Sequence, residues 1–216
     1  MFELIDVKYQ EVVDIPHLYI TKGQTVLLGA SGSGKTTVLK LLNKMISPTQ
    51  GRILFCGNDL KQLPSVDHRR NVMMLSQNPI MFEGNIRDNL TIAFKFQERV
   101  IPGDEELYKI LGKVQLEKGL DTPVNLLSGG EKQRLALGRI FLLDPSVYLL
   151  DEPSSSLDQD TEDKIIKMVS EHIKKANKSA VMITHSKSVA EKYGDEIIEM
   201  AQGKILYRRL RDECNK

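Results

Sequence analysis

The sequence predicts an α/β protein: a mostly parallel sheet flanked by helices, with a small antiparallel β piece near its start and an inserted α-helical lobe. Three observations predict it. A glycine-rich stretch, Gly29-Ala30-Ser31-Gly32-Ser33-Gly34-Lys35-Thr36, stands between a short apolar run and an amphipathic one. Short apolar runs at residues 52–56, 72–75, 147–150 and 180–183 alternate with helical stretches, the pattern of a parallel sheet covered by helices. Residues 85–127 show helix-compatible spacing without a strong strand signal, punctuated by Pro102-Gly103 and Gly112.

Taken in order, residues 2–7 and 17–20 are strand-like and supply the antiparallel piece. Thr25-Val26-Leu27-Leu28 is a buried strand, the glycines after it form a turn, and residues 37–42 continue as an amphipathic helix. Strand, loop and helix in that order are what a phosphate-binding loop of the form G-x-x-x-x-G-K-[ST] requires. Its backbone N–H groups cradle phosphates, while Lys35 and Thr36 reach the terminal phosphates and magnesium. Residues 29–34 and Thr37 complete the expected nucleotide-phosphate-binding set, and a P-loop NTPase core is the expectation. We expect one domain over residues 1–216, with the core in 1–84 and 128–216 and the helical lobe in 85–127.

A second glycine cluster, Leu127-Ser128-Gly129-Gly130-Glu131-Lys132-Gln133-Arg134, ends the lobe and opens a helix that stops before Pro145. A helix N-terminus of this kind accepts an anion. One nucleotide does not need both clusters, so two chains sharing two nucleotides are expected.

Residues 147–150 are four apolar residues of a central strand that runs straight into Asp151-Glu152-Pro153. The plain alternative is a strand ending in a solvated acidic turn. Beside a phosphate loop, however, a strand-end aspartate is needed to hold magnesium, and Asp151 fits. Glu152 is then free to orient and polarise the attacking water as general base, because adjacent strand residues point to opposite sides.

Composition narrows the classes. The 216 residues are 41% hydrophobic and 27% charged, enough for a substantial core and too apolar for disorder. Thirty basic against 29 acidic side chains give no field for nucleic acid or an anionic membrane surface. Cys56 and Cys214 are far apart, outside any metal-ligand spacing, and fit a reducing compartment. No apolar run approaches the ~20 residues that span a bilayer, and the first residues lack the blocks of a signal peptide.

Over essentially its whole length the chain resembles the ATP-binding subunit of ABC transporters, most specifically through the unaltered Leu127-Ser128-Gly129-Gly130 stretch with Arg134. The resemblance implies further roles. Gln77 becomes the glutamine that touches magnesium and the attacking water, and His185 the switch histidine on the terminal phosphate. Ser156, Leu157 and Asp158 become the loop crossing a dimer interface, and Tyr9 the aromatic stacked on adenine, two positions early for that pattern. Leu127, Ser128, Gly129, Gly130 and Glu131 would serve the nucleotide of a partner chain, a second copy or a paralogue.

The same resemblance implies ATP and Mg2+ as ligands and separate integral membrane permease subunits docking near Gln77 to Ile86. It also implies a cytoplasmic protein, peripheral on the membrane through the permease. At least one of Ile80, Met81 and Phe82 should then be exposed. The cargo leans to metal, with iron export first and amino acid or phosphate types after it. The rival class is a soluble ATPase of DNA repair or translation, which usually carries a long coiled-coil insertion or a second linked ATPase domain; this chain has neither.

Overall fold

A computed structural model describes residues 1–154 and 159–211. The interface-loop residues Ser156, Leu157 and Asp158 lie outside the described residues.

Strand β1 (Phe2–Tyr9) turns back into β2 (Val13–Ile20), and the pair is antiparallel over its full length. Both strands alternate buried and exposed positions, the signature of a sheet with one wet face. Strand β3 (Gln24–Leu28) is buried at every position and leads through the glycine loop into helix α1 (Lys35–Leu42). Strands β4 (Gln50–Phe55) and β5 (Asn58–Asp59) follow, then helix α2 (Ser65–Asn71) and strand β6 (Val72–Leu75). Helices α3 (Ile86–Phe96) and α4 (Asp104–Lys113) come next, and after a single 3-10 turn, Val124–Leu126, the long helix α5 (Gly129–Leu143). The chain ends in β7 (Val147–Asp151), α6 (Gln159–Lys175), β8 (Ser179–Ile183), α7 (Lys187–Tyr193), β9 (Glu196–Ala201) and β10 (Lys204–Leu210).

Two sheets result. The larger has the order β10-β9-β3-β8-β7-β6, parallel throughout except for β10, which closes the edge as a hairpin on β9. The smaller is antiparallel, β2-β1-β4-β5. One expectation is corrected here: the run at residues 52–56 does not join the parallel sheet, because β4 pairs antiparallel with β1. A short apolar run carries no information on strand direction. The pairing was decided by β1, whose Phe2 packs its ring 4.8 Å from that of Phe55 on β4.

The parallel strands are buried on both faces, so alternate residues feed two different cores. Leu27, Leu149, Val181 and Ile183 face α1 and the antiparallel sheet. Val26, Leu28, Leu150 and Met182 face the helices α3 to α7. Helix α5 packs along α3 and α4, with Leu90, Leu111, Leu135 and Leu137 at most 2% exposed. That packing fixes where the second glycine cluster points.

Candidate active site

The first glycine stretch leaves β3 by a close approach that only glycine tolerates. A Cβ on Gly29, which has φ +146°, would lie 2.2 Å from the carbonyl oxygen of Met200. The loop then passes through Gly32 and Gly34, both at positive φ, and Gly34 is the residue from which α1 starts. The carbonyl of Ser33 accepts from the backbone N–H of Gly203, which pins the loop to the β9–β10 hairpin.

Lys35 is 5% exposed and donates to the carbonyls of Gly29 and Ala30, each at 2.8 Å. Burial lowers its pKa, opposed by the charges of Glu152 and Asp151. Beside it the Thr36 hydroxyl donates to Asp151 Oδ1 at 3.1 Å. Asp151 closes β7 at 4% exposure. Burial pushes its carboxyl up from the usual carboxylate range, the Thr36 hydrogen bond pulls it back, and Glu152 pushes it up again. Thr36 Oγ1 and Asp151 Oδ1 are hard oxygen donors side by side, with the Gln77 amide nearby. Such a set fits Mg2+, which takes one or two protein oxygens and fills the rest of its octahedron with phosphate and water oxygens.

Three strand ends converge on Glu152. Its Oε2 accepts from Gln77 Nε2 at 2.8 Å, and its Oε1 accepts from His185 Nε2–H at 2.8 Å. Gln77 lies just past β6 and His185 just past β8, so the parallel order β8-β7-β6 brings all three to the same edge. Glu152 itself stands at φ 48°, in the left-handed region. The two neighbouring carboxylates have different partners, Thr36 for Asp151 and Gln77 with His185 for Glu152, in keeping with the opposite sides that strand alternation predicts. Residues 31–37 with Val12, Gln77, Glu152 and His185 line one cavity of about 280 Å3.

The remaining expected residues fall elsewhere. Tyr9 does not line the cavity; it ends β1 half-buried against the antiparallel sheet's core. The following turn carries Val12 there instead, with its carbonyl oxygen 3.0 Å from where a Cβ on Gly34 would sit. The shift arises because Tyr9 pairs with Val13 and so belongs to the pleat, and the tip of the hairpin is what reaches the loop.

The second glycine cluster lines none of this cavity. Ser128 is the N-cap of α5, with Oγ accepting from the N–H of Glu131 at 3.3 Å and Glu131 Oε2 accepting from the N–H of Ser128 at 2.8 Å. This reciprocal cap leaves the first turn at Gly129 and Gly130 open toward solvent. The Ser128 amide holds the Glu131 carboxyl below the usual range, assisted by Lys118. Leu127, at 4% exposure, anchors the cluster in the helical core.

Ile80 is 73% exposed, whereas Met81 and Phe82 are half-buried. Met81, Phe82, Glu83 and Gly84 face Pro123, Val124, Asn125 and Lys132 across a cleft of about 470 Å3. Two site features escaped the sequence reading: Val12, and the pair Arg139–Asn89 beneath this cleft. A signal for the latter existed, since Arg139 interrupts an otherwise apolar run from Leu135 to Leu143.

Fold and site together define a phosphate-loop ATPase in which the glycine loop, the acidic strand end, a glutamine and a histidine meet at one cavity. The model of the ABC transporter family matches residues 13–155, and the chain belongs to that family as an ATPase. It is 38% identical to the ABC-type transporter fsqE of Aspergillus fumigatus over 91% of this chain, spanning only 16% of that protein. It is 35% identical to the putative hemin import ATP-binding protein HrtA of Staphylococcus haemolyticus over 90% of both chains. A dimeric structure of a post-hydrolysis state of the ATP-binding cassette MJ0796 bound to ADP and Pi superposes with TM-score 0.84. It covers 97% of this chain and 98% of that one at 24% identity, a likeness of fold. Among the described residues no helix is long and apolar enough to cross a membrane.

Proposed function

We propose that this chain is the ATP-binding and ATP-hydrolysing subunit of an ABC transporter and forms a head-to-tail dimer with a second copy or a paralogue. The dimer sandwiches two nucleotides and drives transport through separate integral membrane subunits. The observation that carries the reading is the separation of the two glycine clusters. The capped N-terminus of α5 is open to solvent and lines none of the phosphate-loop cavity of its own chain.

In this reading the loop amides of residues 29–34, with Lys35, Thr36 and Thr37, bind the phosphates. Thr36, Asp151 and the Gln77 amide oxygen would hold Mg2+, which would supply charge neutralisation on the phosphoryl oxygens. Glu152 takes the proton of the attacking water, oriented by Gln77 on one carboxylate oxygen and by His185 on the other. His185 also reports the terminal phosphate. Ser128, Gly129, Gly130 and Glu131 of one chain close over the nucleotide of the other, exclude water and strengthen every charge interaction inside. Hydrolysis removes the group that bridges the chains, and they part.

The membrane subunits dock beside Gln77 to Ile86, a reading supported by exposed Ile80 and the adjoining cleft. The protein is thereby peripheral on the cytoplasmic face. Among cargoes, iron export is favoured over amino acid or phosphate types; an iron-containing cargo finds support in the match along 90% of both chains to HrtA, a protein named for hemin import. The direction of transport belongs to the membrane subunits.

Light scattering on Glu152→Gln with and without Mg-ATP tests the reading. The expected result is a monomer without nucleotide and a dimer with it. A monomer under both conditions, with ATP demonstrably bound, overturns the shared-nucleotide mechanism for a homodimer.

A further inference from the structure

Helix α5 carries a cation whose partners among the described residues are all uncharged. Arg139, on α5, donates from Nε to the carbonyl of Asn89 at 2.9 Å, from Nη2 to Asn89 Oδ1 at 3.0 Å and from Nη1 to the carbonyl of Ile80 at 3.2 Å. Its guanidinium lies 5.3 Å above the ring of Phe82. Burial lowers its pKa to about 10, with no charged group among the causes.

Asn89, on α3, is 0% exposed and uses both ends of its amide on the same residue. Its Oδ1 accepts from the N–H of Phe82 at 2.9 Å, and its Nδ2 donates to the carbonyl of Phe82 at 2.9 Å and to that of Asn85 at 3.0 Å. Residues 80–82 are therefore clasped by two side chains, one from α3 and one from α5.

Keeping a half-buried cation here without a carboxylate partner costs free energy, and an apolar residue at position 139 would avoid the cost. The geometry gives the reason for an arginine. Only a planar fork satisfies Asn89 and Ile80 together while stacking on Phe82. The two connected ends are functional ones. Gln77, three residues before Ile80, bonds Glu152. Ser128, at the head of the same α5, lies about 16 Å along a stiff helix from Arg139.

We propose that Arg139 is a positioning residue that joins residues 80–82 to α5 as one rigid unit, so that a displacement of that segment moves the glycines at 129–130. It rests on the proposed function, in which a membrane subunit displaces residues 80–82 and the glycines serve the nucleotide of the other chain. Arg139 touches no substrate. It determines whether movement at the docking segment is delivered to the second nucleotide or absorbed by a loose loop.

The test is amide hydrogen exchange on the full chain, comparing wild type with Arg139→Lys, which keeps the charge and loses the fork. We expect residues 80–83 and 128–132 to exchange at least about 10-fold faster together, while β3, α1 and the parallel sheet keep their protection. Binding of a fluorescent ATP analogue should stay within about two-fold, and kcat should fall with KM held, because the phosphate loop is untouched. In the Glu152→Gln background, ATP-driven dimerisation should weaken at least about 10-fold.

Faster exchange at 80–83 with 128–132 unchanged overturns the proposal, as does an Arg139→Lys protein indistinguishable from wild type. Should Arg139→Lys not fold, Arg139→Gln decides the same comparison, since it too lacks the fork that reaches Asn89 and Ile80 together. Failure of the proposed function would be seen separately, as an absent ATP-driven dimer in the parent Glu152→Gln chain. The exchange measurement needs no dimer.

Discussion

At the scale of single residues, the chemistry rests on charges that the fold holds close together. Lys35→Ala removes a cation in contact with the loop carbonyls, and we expect at least about a 10-fold loss of nucleotide affinity with no measurable turnover. Unaltered ATPase activity in that variant would remove Lys35 from the site. Glu152→Gln keeps the shape between Gln77 and His185 but loses the proposed base, so hydrolysis should slow by about 100-fold or more while nucleotide still binds. A third residue predicts pH behaviour away from the site. His172 accepts from Lys113 at Nδ1 and donates from Nε2–H to Tyr148, whose hydroxyl donates to Asp144, with Lys178 paired to the same Asp144. Burial first, then the Lys113 charge, lower the His172 pKa to about 4. An unfolded histidine titrates near 6.5, so between these values the unfolded chain binds a proton that the folded chain refuses. Stability from this group is complete above about pH 6.5 and is lost as pH falls toward about 4. Thermal melts of His172→Gln should show a shallower acid limb than wild type; identical slopes would mean the ring is not held neutral.

At the scale of elements, helix α5 does two tasks. Its N-terminus presents the second glycine cluster, and its apolar face holds α3 and α4. Leu90, fully buried between α3 and α5, tests that packing: Leu90→Ala should cost about 2–5 kcal/mol in denaturant melts. A loss well below that would mean the lobe collapses around the gap. Strand β4 shows where local reading fails. Its apolar run is indistinguishable from those of β6 and β8 in sequence, and only the partner strand β1 determines that it runs antiparallel. Tyr9 is outside the cavity for a related reason, because the residue at the strand end belongs to the pleat and the turn residue Val12 reaches the loop.

At the scale of the whole molecule, one net positive charge over 216 residues leaves little long-range repulsion between copies, so net charge does not oppose the proposed nucleotide-driven dimer. The solution mass with Mg-ATP is accordingly the measurement that decides the assembly. The sequence by itself determined the phosphate loop, the acidic strand end and the second glycine cluster. Each is a local pattern in which backbone geometry and chemistry are set by neighbouring residues: glycines for the turn, lysine and threonine for phosphate, serine and glutamate for the helix cap. Gln77 and His185 became legible only through their order among those motifs. The tertiary structure alone decided that both hydrogen-bond Glu152, that Val12 and not Tyr9 lines the cavity, and that Arg139 and Asn89 clasp residues 80–82. Those contacts join residues far apart in the chain, and their distances follow from strand order and helix packing, which no local pattern encodes.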